Sequence, residues 1–149
     1  MNRTEARETA VKLCFELSSK ECSADEVLAH FLDREYFDSL AEEGDPVLSS
    51  YPDEVQKDYI ETLVRGIGEH SAELDGYISK YARGWQFGRI SRTALAVMKT
   101  AMYEAMYMPD IPTGVAMNEA VEIAKKYDEP ETVSFINGVL GSFARGELS

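Results

Sequence analysis

The sequence has few of the residues that hold small domains together through covalent bonds or metal ions. Its 149 residues include only two cysteines and two histidines. Cys14 and Cys22 stand outside any CxxC pattern, which argues against a disulfide framework or a zinc site. His30 and His70 lack the partners of an HExxH or ExxH motif, so each is more typical of a surface or packed histidine than of a ligand. We therefore expect no metal and no other cofactor.

Long apolar runs and the common catalytic motifs are also missing. Residues 1–5 contain no apolar leader segment, and no stretch approaches the roughly 18 apolar residues that a membrane span needs. The patterns GxGxxG, GxxxxGK[ST] and GxSxG do not occur. We therefore expect a cytosolic, cytoplasmic binding module with no catalytic residues, and not an enzyme.

Apolar residues at helical spacing are abundant. They make up 44% of the chain, enough for one core, and recur at i, i+3 and i+4 with no sustained alternation of period two. This pattern predicts an all-α fold, a compact bundle of about seven helices. The predicted helices cover residues 3–18, 23–32, 53–82, 92–107, 114–127 and 131–145, with a loop at 39–52.

Local signals mark several of these helix ends. Ser23 and Glu26 form a capping-box pattern at the start of the second helix. Pro109 and Pro112 must end the helix that precedes them, because proline removes a backbone donor and pushes its predecessor out of helical space. Asp128 is the predicted N-cap of the last helix.

Negative charge is concentrated in the middle of the chain. The net charge is −12, and residues 21–82 carry four basic and sixteen acidic groups. Such a field favours a basic protein as partner over non-specific binding of nucleic acid. One local basic window exists, because no acidic residue occurs between Arg83 and Glu104. The window is either a local RNA contact or a solvated helix face, and its basic residues are Arg83, Arg89, Arg92 and Lys99.

Four segments of the second half resemble the signature of the NusB family of transcription antitermination factors. They are MYE at 102–104, DIP at 110–112, VAMNEAVEIAKKY at 115–127 and FINGVL at 135–140. The segments occur in the family's order and spacing. Weaker similarity at residues 63–66, at 74–75 and at 7–8 with the apolar stripe that follows extends the resemblance to nearly the whole chain.

The resemblance implies a fold and a role. NusB proteins consist of two small helical subdomains, which we expect at about 1–82 and 83–149. They pair with the ribosomal protein NusE and bind the boxA element of nascent RNA in antitermination complexes of RNA polymerase, notably on ribosomal RNA operons. The resemblance therefore implies a non-catalytic adaptor. Some RNA cytosine methyltransferases carry a NusB-like domain, but we expect no room for a catalytic domain in 149 residues.

The resemblance also implies RNA-contacting residues. In the family these come largely from the N-terminal segment and from the start of the last helix. Carried over, Arg3 and Arg7 are the expected phosphate contacts together with Lys12, and Phe135 is an expected stacking contact. Asn137 either lies beside the RNA or ties neighbouring helices together as a buried, hydrogen-bonded amide, as Asn118 would.

Three residues are candidates for the NusE surface. These are Phe15, Glu104 and Glu131, with a helix cap as the alternative role of Glu131 and a purely structural one for Glu104. The N-terminal segment has fewer arginines than many relatives, which motivates the alternative of a protein–protein scaffold of the same fold that has lost RNA binding. An exposed apolar stripe could also close a homodimer that hides the RNA surface.

Overall fold

The fold is helical throughout the part of the chain that the structure describes. The computed structural model describes residues 1–19, 22–44 and 50–148, and within them it contains eight α-helices, one 3₁₀ turn and no strand. The predicted all-α class is confirmed. The helices are α1 (Arg3–Ser19), α2 (Ala24–Leu32), α3 (Arg34–Glu42), α4 (Glu54–Glu69), α5 (Ser71–Tyr81), α6 (Arg92–Tyr107), α7 (Thr113–Tyr127) and α8 (Pro130–Glu147), and the 3₁₀ turn is Phe87–Arg89.

The chain divides into two compact units. The first, Met1–Glu69, holds α1 to α4, and the second, His70–Ser149, holds α5 to α8. From the family resemblance we expect the corresponding boundary at about residue 82. The contacts of α5 with α6 and α8 assign it to the second unit instead.

The core of the first unit lies between α1, α2 and α4. Helix α1 packs on α4 and α2, and α2 also packs on α3. The predicted capping box is confirmed, because the Glu26 backbone N–H donates to Ser23 Oγ at 3.2 Å and the Ser23 N–H donates to Glu26 Oε1 at 3.4 Å. A Cβ at Gly68 would stand 3.5 Å from Leu17 Cδ2, an ordinary van der Waals contact, so no close approach of α4 requires glycine there.

The predicted loop at 39–52 is wrong at its start. Helix α3 runs to Glu42, and it begins at an N-cap, Asp33, whose carboxylate accepts from the Tyr36 N–H at 2.9 Å. Phe37 is the buried residue of α3 and packs edge-on against Phe31. One buried residue in nine is too few to produce a helical apolar stripe. Residues 45–49 of the predicted loop lie outside the described residues.

The predicted helix over 53–82 is in fact two helices. The chain leaves helical geometry at His70, where φ is −103° and ψ is 15°. The His70 ring stacks on Tyr107 of α6 with centroids 4.4 Å apart. Apolar spacing is preserved across this break, which is why the sequence pattern does not reveal it.

Helix α6 is the centre of the second unit and contacts α5, α7 and α8. Its buried face is apolar and includes Val97, Met98, Ala101 and Met102. Helix α8 begins with proline in its first turn, where the missing N–H has no intrahelical partner to lose. Its N-cap is Glu129, without a side-chain capping bond, so the predicted cap by Asp128 is wrong.

Two features bear on what the chain could bind. No described helix is long and apolar enough to cross a membrane. Within residues 1–19, 22–44 and 50–148 no three histidine, cysteine or acidic side chains are grouped so that they could hold a metal ion. Cys14 is buried and Cys22 is partly exposed, and neither takes part in a disulfide in the part of the chain that the structure describes.

Candidate nucleic-acid and protein interfaces

Arg3 of the first unit is partly exposed and is held by α4. Its Nε donates to Gln56 Oε1 at 2.8 Å, and its guanidinium carbon lies 4.1 Å from the centroid of the Tyr59 ring. The cation–π contact and the hydrogen bond fix the direction of the side chain. The residue as a whole is partly exposed, so the predicted phosphate contact is compatible with the structure.

Arg7 is not available for the predicted phosphate contact. Only 3% of the residue is exposed, and its guanidinium carbon lies 5.6 Å from the Tyr59 ring centroid. Arg7 shares its side of α1 with Val11 and Cys14, which are buried. The expectation that this guanidinium binds RNA directly is therefore corrected, and Arg7 belongs to the packing of the first unit.

Lys12 and Phe15 extend the N-terminal candidates along α1. They stand three residues apart, so they are neighbours on the helix surface. Lys12 is partly exposed, and Phe15 is exposed to 36%. A partly exposed phenylalanine beside a lysine gives this stretch of α1 an apolar and a cationic group that a ligand could contact together.

Phe135 of the second unit packs against Trp85, which is not among the site residues predicted from the sequence. The Phe135 and Trp85 rings have centroids 4.5 Å apart and an interplanar angle of 43°. Phe135 is partly exposed, and Trp85 is exposed to 51%. The sequence does contain a signal for Trp85, because it is the only tryptophan of the chain and it lies within the basic window.

The turn before α6 presents Trp85 at the surface. Gly84 has a φ of +80°, a left-handed conformation that favours glycine, and the Trp85 N–H donates to the Ala82 carbonyl at 3.1 Å. A shallow surface depression is lined by Gly84, Trp85, Gln86 and Arg89.

The basic window divides into free and paired residues. Lys99 is not a solvated charge, because its side chain is only 12% exposed, and its Nζ lies 2.6 Å from Asp75 Oδ1. It also donates to Ser71 Oγ at 3.2 Å, so it ties α6 to α5. Arg83 and Arg89 are exposed, and neither forms an ion pair with any carboxylate that the structure describes.

Asn118 and Asn137 are both exposed. The interpretation that buried amides tie neighbouring helices together is therefore wrong for both, and the contact of Asn137 with RNA stays a prediction. Phe135 and Asn137 are two positions apart on α8, which separates their directions by roughly 200° around the helix axis. The structure thus places them on different sides of α8, with buried Ile136 between them.

The protein-partner candidates differ in accessibility. Glu104 is 0% exposed within the core of α6, which favours its purely structural role and removes it from any docking surface. Glu131 is exposed in the first turn of α8, where a carboxylate also complements the helix dipole. Phe15 belongs to the first unit and Glu131 to the second.

Two of the shifted pKa values belong to hydrogen bonds between helices of the second unit, whereas burial raises the pKa of Asp128. The Glu73 carboxylate accepts from the Tyr107 hydroxyl at 2.5 Å and raises the pKa of Tyr107 to about 12. Lys80 donates to Glu147 and lowers the pKa of that carboxyl. These groups are tyrosines and carboxylates that hold α5 against its neighbours, and their arrangement has no recognisable nucleophile–base pair.

Comparisons with known proteins give the family. The family model described as "NusB family" matches residues 4–145. "Transcription antitermination protein NusB" of Acetivibrio thermocellus is 37% identical over 148 residues, covering 99% of this chain and 92% of that protein. The protein of the same name from Thermoanaerobacter sp. (strain X514) is 38% identical over 147 residues, covering 99% of this chain and 93% of its own length.

A solved structure agrees with the sequence relatives. T. maritima NusB superimposes with a TM-score of 0.70 at 26% identity, covering 98% of this chain and 92% of that one. The match spans both units. The chain belongs to the NusB family.

Proposed function

We propose that the protein is a transcription antitermination factor, a non-catalytic cytoplasmic adaptor that binds boxA-type RNA together with the ribosomal protein NusE in RNA polymerase complexes that transcribe ribosomal RNA. The observation that carries this proposal is the family match over residues 4–145. Relatives named as antitermination proteins align over more than nine-tenths of their own length, so the proposal covers the whole role and not that of a fragment.

On the RNA side, the proposal uses the candidates that the structure leaves accessible. Arg3 and Lys12 supply positive charge on α1, and Phe135 and the exposed Asn137 supply stacking and hydrogen bonding on α8. Phosphate contacts of this kind position the RNA, whereas base contacts select its sequence. Arg7 acts indirectly by keeping α1 packed.

On the protein side, the proposal rests on charge and on an apolar anchor. The excess of twelve acidic groups in residues 21–82 is suited to a basic ribosomal protein. Phe15 is an exposed aromatic residue of the type that is enriched at interface centres. Glu131 supplies an accessible carboxylate for a basic partner.

The test is binding of labelled boxA RNA to the purified protein, with and without NusE, in an electrophoretic shift assay. We expect tight binding only when NusE is present. We also expect affinity to fall as salt rises, because phosphate contacts release counterions. Unchanged RNA binding between low and high salt would contradict phosphate contacts by this complex.

The second candidate function is a protein–protein scaffold of the same fold without RNA binding. The observation that favours it is the state of the two N-terminal arginines, since Arg7 is buried and Arg3 is held by Gln56 and Tyr59. The scaffold requires that the NusE complex forms and yet ignores boxA RNA at low salt. Retention of RNA by that complex would exclude the scaffold.

A further inference from the structure

Trp85 is an unusually accessible large aromatic side chain. Half of its surface is exposed, although residues of this size usually bury most of their area. The Phe135 ring supports it at 4.5 Å between centroids. Because one neighbour covers only part of an indole, much of the remaining ring surface faces solvent.

The surroundings of Trp85 are cationic. Arg83 and Arg89 stand two positions before and four positions after it, both exposed and without an ion-pair partner among the described carboxylates. Arg89 also shares the surface depression with Trp85. An accessible aromatic face beside uncompensated guanidinium groups is the combination that binds single-stranded nucleic acid, in which bases stack and phosphates need positive charge.

We propose that Trp85 and Phe135 form a stacking platform for one unpaired nucleobase of single-stranded RNA, with Arg83 and Arg89 contacting the flanking phosphates. This inference rests on the proposed function, because the second unit would bind a further nucleotide of the same boxA-type RNA. It adds three residues, Trp85, Arg83 and Arg89, to the RNA contacts.

Charge complementarity selects RNA over protein as the occupant. The partner protein in the proposed function is basic, and free arginines on both sides of Trp85 would repel it. RNA carries the opposite charge and is attracted to the same groups. Bases also stack on aromatic rings without regard to their identity, so the platform adds affinity more than sequence preference.

The first test is substitution of Trp85 in the full complex. Fluorescein-labelled single-stranded boxA RNA is titrated with the complex of this protein and NusE, and its anisotropy is followed. We expect Trp85→Ala to weaken RNA binding by roughly 5- to 100-fold, which corresponds to the loss of one base stack. Trp85→Phe retains an aromatic ring and should recover much of the affinity.

The matched control is Tyr107→Ala, which removes another exposed aromatic side chain of the second unit. Tyr107 is the last residue of α6, at the opposite end of that helix from the Trp85 turn. We expect RNA affinity within about twofold of the unaltered complex, because this site offers no stacking platform next to free arginines. Equal losses for Tyr107→Ala and Trp85→Ala would overturn the proposal.

The second test does not depend on whether the variants fold. Trp85 is the only tryptophan of the chain, so 5-fluorotryptophan incorporated into this protein alone gives a single ¹⁹F resonance. We expect that resonance to shift when RNA is added to the preformed complex with NusE, because a stacked base changes its ring environment. A resonance that moves when NusE binds and stays unchanged when RNA follows would assign the surface to protein and overturn the proposal.

Failure of the platform and failure of the proposed function give different results. If the unaltered complex binds RNA while Trp85→Ala binds equally well and the ¹⁹F resonance stays in place, only the platform is wrong. If the unaltered complex does not bind boxA RNA at low salt, the proposed function fails first, and the platform fails with it.

Discussion

The two units display their arginines in opposite ways. In the first unit, Arg7 is buried and Arg3 is bound to α4 through Gln56 and the Tyr59 ring. In the second unit, Arg83 and Arg89 stand in solvent beside an exposed tryptophan. The family resemblance favours the N-terminal segment as the RNA site. Accessibility instead favours Arg83 and Arg89 as phosphate contacts, because a guanidinium that is already paired or buried binds a phosphate less strongly.

The largest expected effect is a difference in stability between a variant of the buried Arg7 and a variant of the exposed Arg89. Arg7→Glu places a carboxylate where only 3% of the residue reaches solvent, so we expect the free energy of unfolding to fall by about 3 kcal/mol or more. Arg89→Glu, the matched exposed variant, should change stability by only about 0.5 kcal/mol. Urea unfolding followed by circular dichroism measures both, and equal stabilities would mean that Arg7 is not buried in solution.

A smaller effect distinguishes two basic residues of the same window. Lys99 is paired with Asp75 at 2.6 Å and is mostly buried, whereas Arg89 is exposed. We expect Lys99→Ala to lower the free energy of unfolding by about 1–2 kcal/mol, because Asp75 loses its counterion.

The double variant tests whether that loss comes from the ion pair. Lys99→Ala combined with Asp75→Ala should cost less than the sum of the two single changes, since neither partner is then left alone. Strict additivity in the thermal or urea unfolding of the four proteins would contradict the pairing.

The salt dependence of RNA binding distinguishes the expected phosphate contact of Arg3 in the first unit from that of Arg89 in the second. Each phosphate contact with a single strand contributes about 0.7 to the slope of log affinity against log salt. We expect Arg89→Gln to reduce the slope by about this amount. Arg3→Gln should reduce it less, because the Arg3 guanidinium is shared with Gln56 and Tyr59. Titrations between 50 and 200 mM salt, roughly the range where such slopes are measured, decide the order.

The helical periodicity was sufficient to predict the fold class and most helix ends. It missed the break at His70, because the apolar spacing of α4 continues into α5. At the break the His70 ring stacks on Tyr107 of another helix, a contact that no local pattern reveals. The periodicity missed α3 as well, since a helix with a single buried residue has no apolar stripe. Local patterns describe which face is apolar and do not report contacts that form only after folding.

Prediction of site residues was less complete, for related reasons. Arg7 stands four positions before Val11 and seven before Cys14, and this spacing indicates a buried position even for an arginine. Family position nevertheless favoured it as an RNA contact. Trp85 and Phe135 are fifty residues apart, and their ring contact follows from the packing of α8 in the second unit, which no local motif specifies.

The smallest expected effect concerns the hydrogen bond between Tyr107 and Glu73 in the second unit. There the Glu73 carboxylate is partnered by a phenol, Tyr107, and not by an arginine. The pKa of Tyr107 is raised to about 12, so the hydrogen-bonded phenol contributes stability that is fully present below its ordinary value near 10 and is lost as the pH rises through about 12. The pKa of Tyr81 is also raised by its hydrogen bond to Glu147, so the step of Tyr107 near 12 is taken as the difference between the ultraviolet tyrosinate titrations of the protein and of Tyr107→Phe.

That late step identifies the partner of Glu73. It should disappear in Tyr107→Phe, and in Glu73→Gln the pKa should return toward 10, because a neutral amide holds the phenol proton less strongly than a carboxylate does. Neither change should alter RNA binding by more than about twofold at neutral pH, since the pair lies at the opposite end of α6 from Trp85. A late step that survives Glu73→Gln would show that another group holds Tyr107.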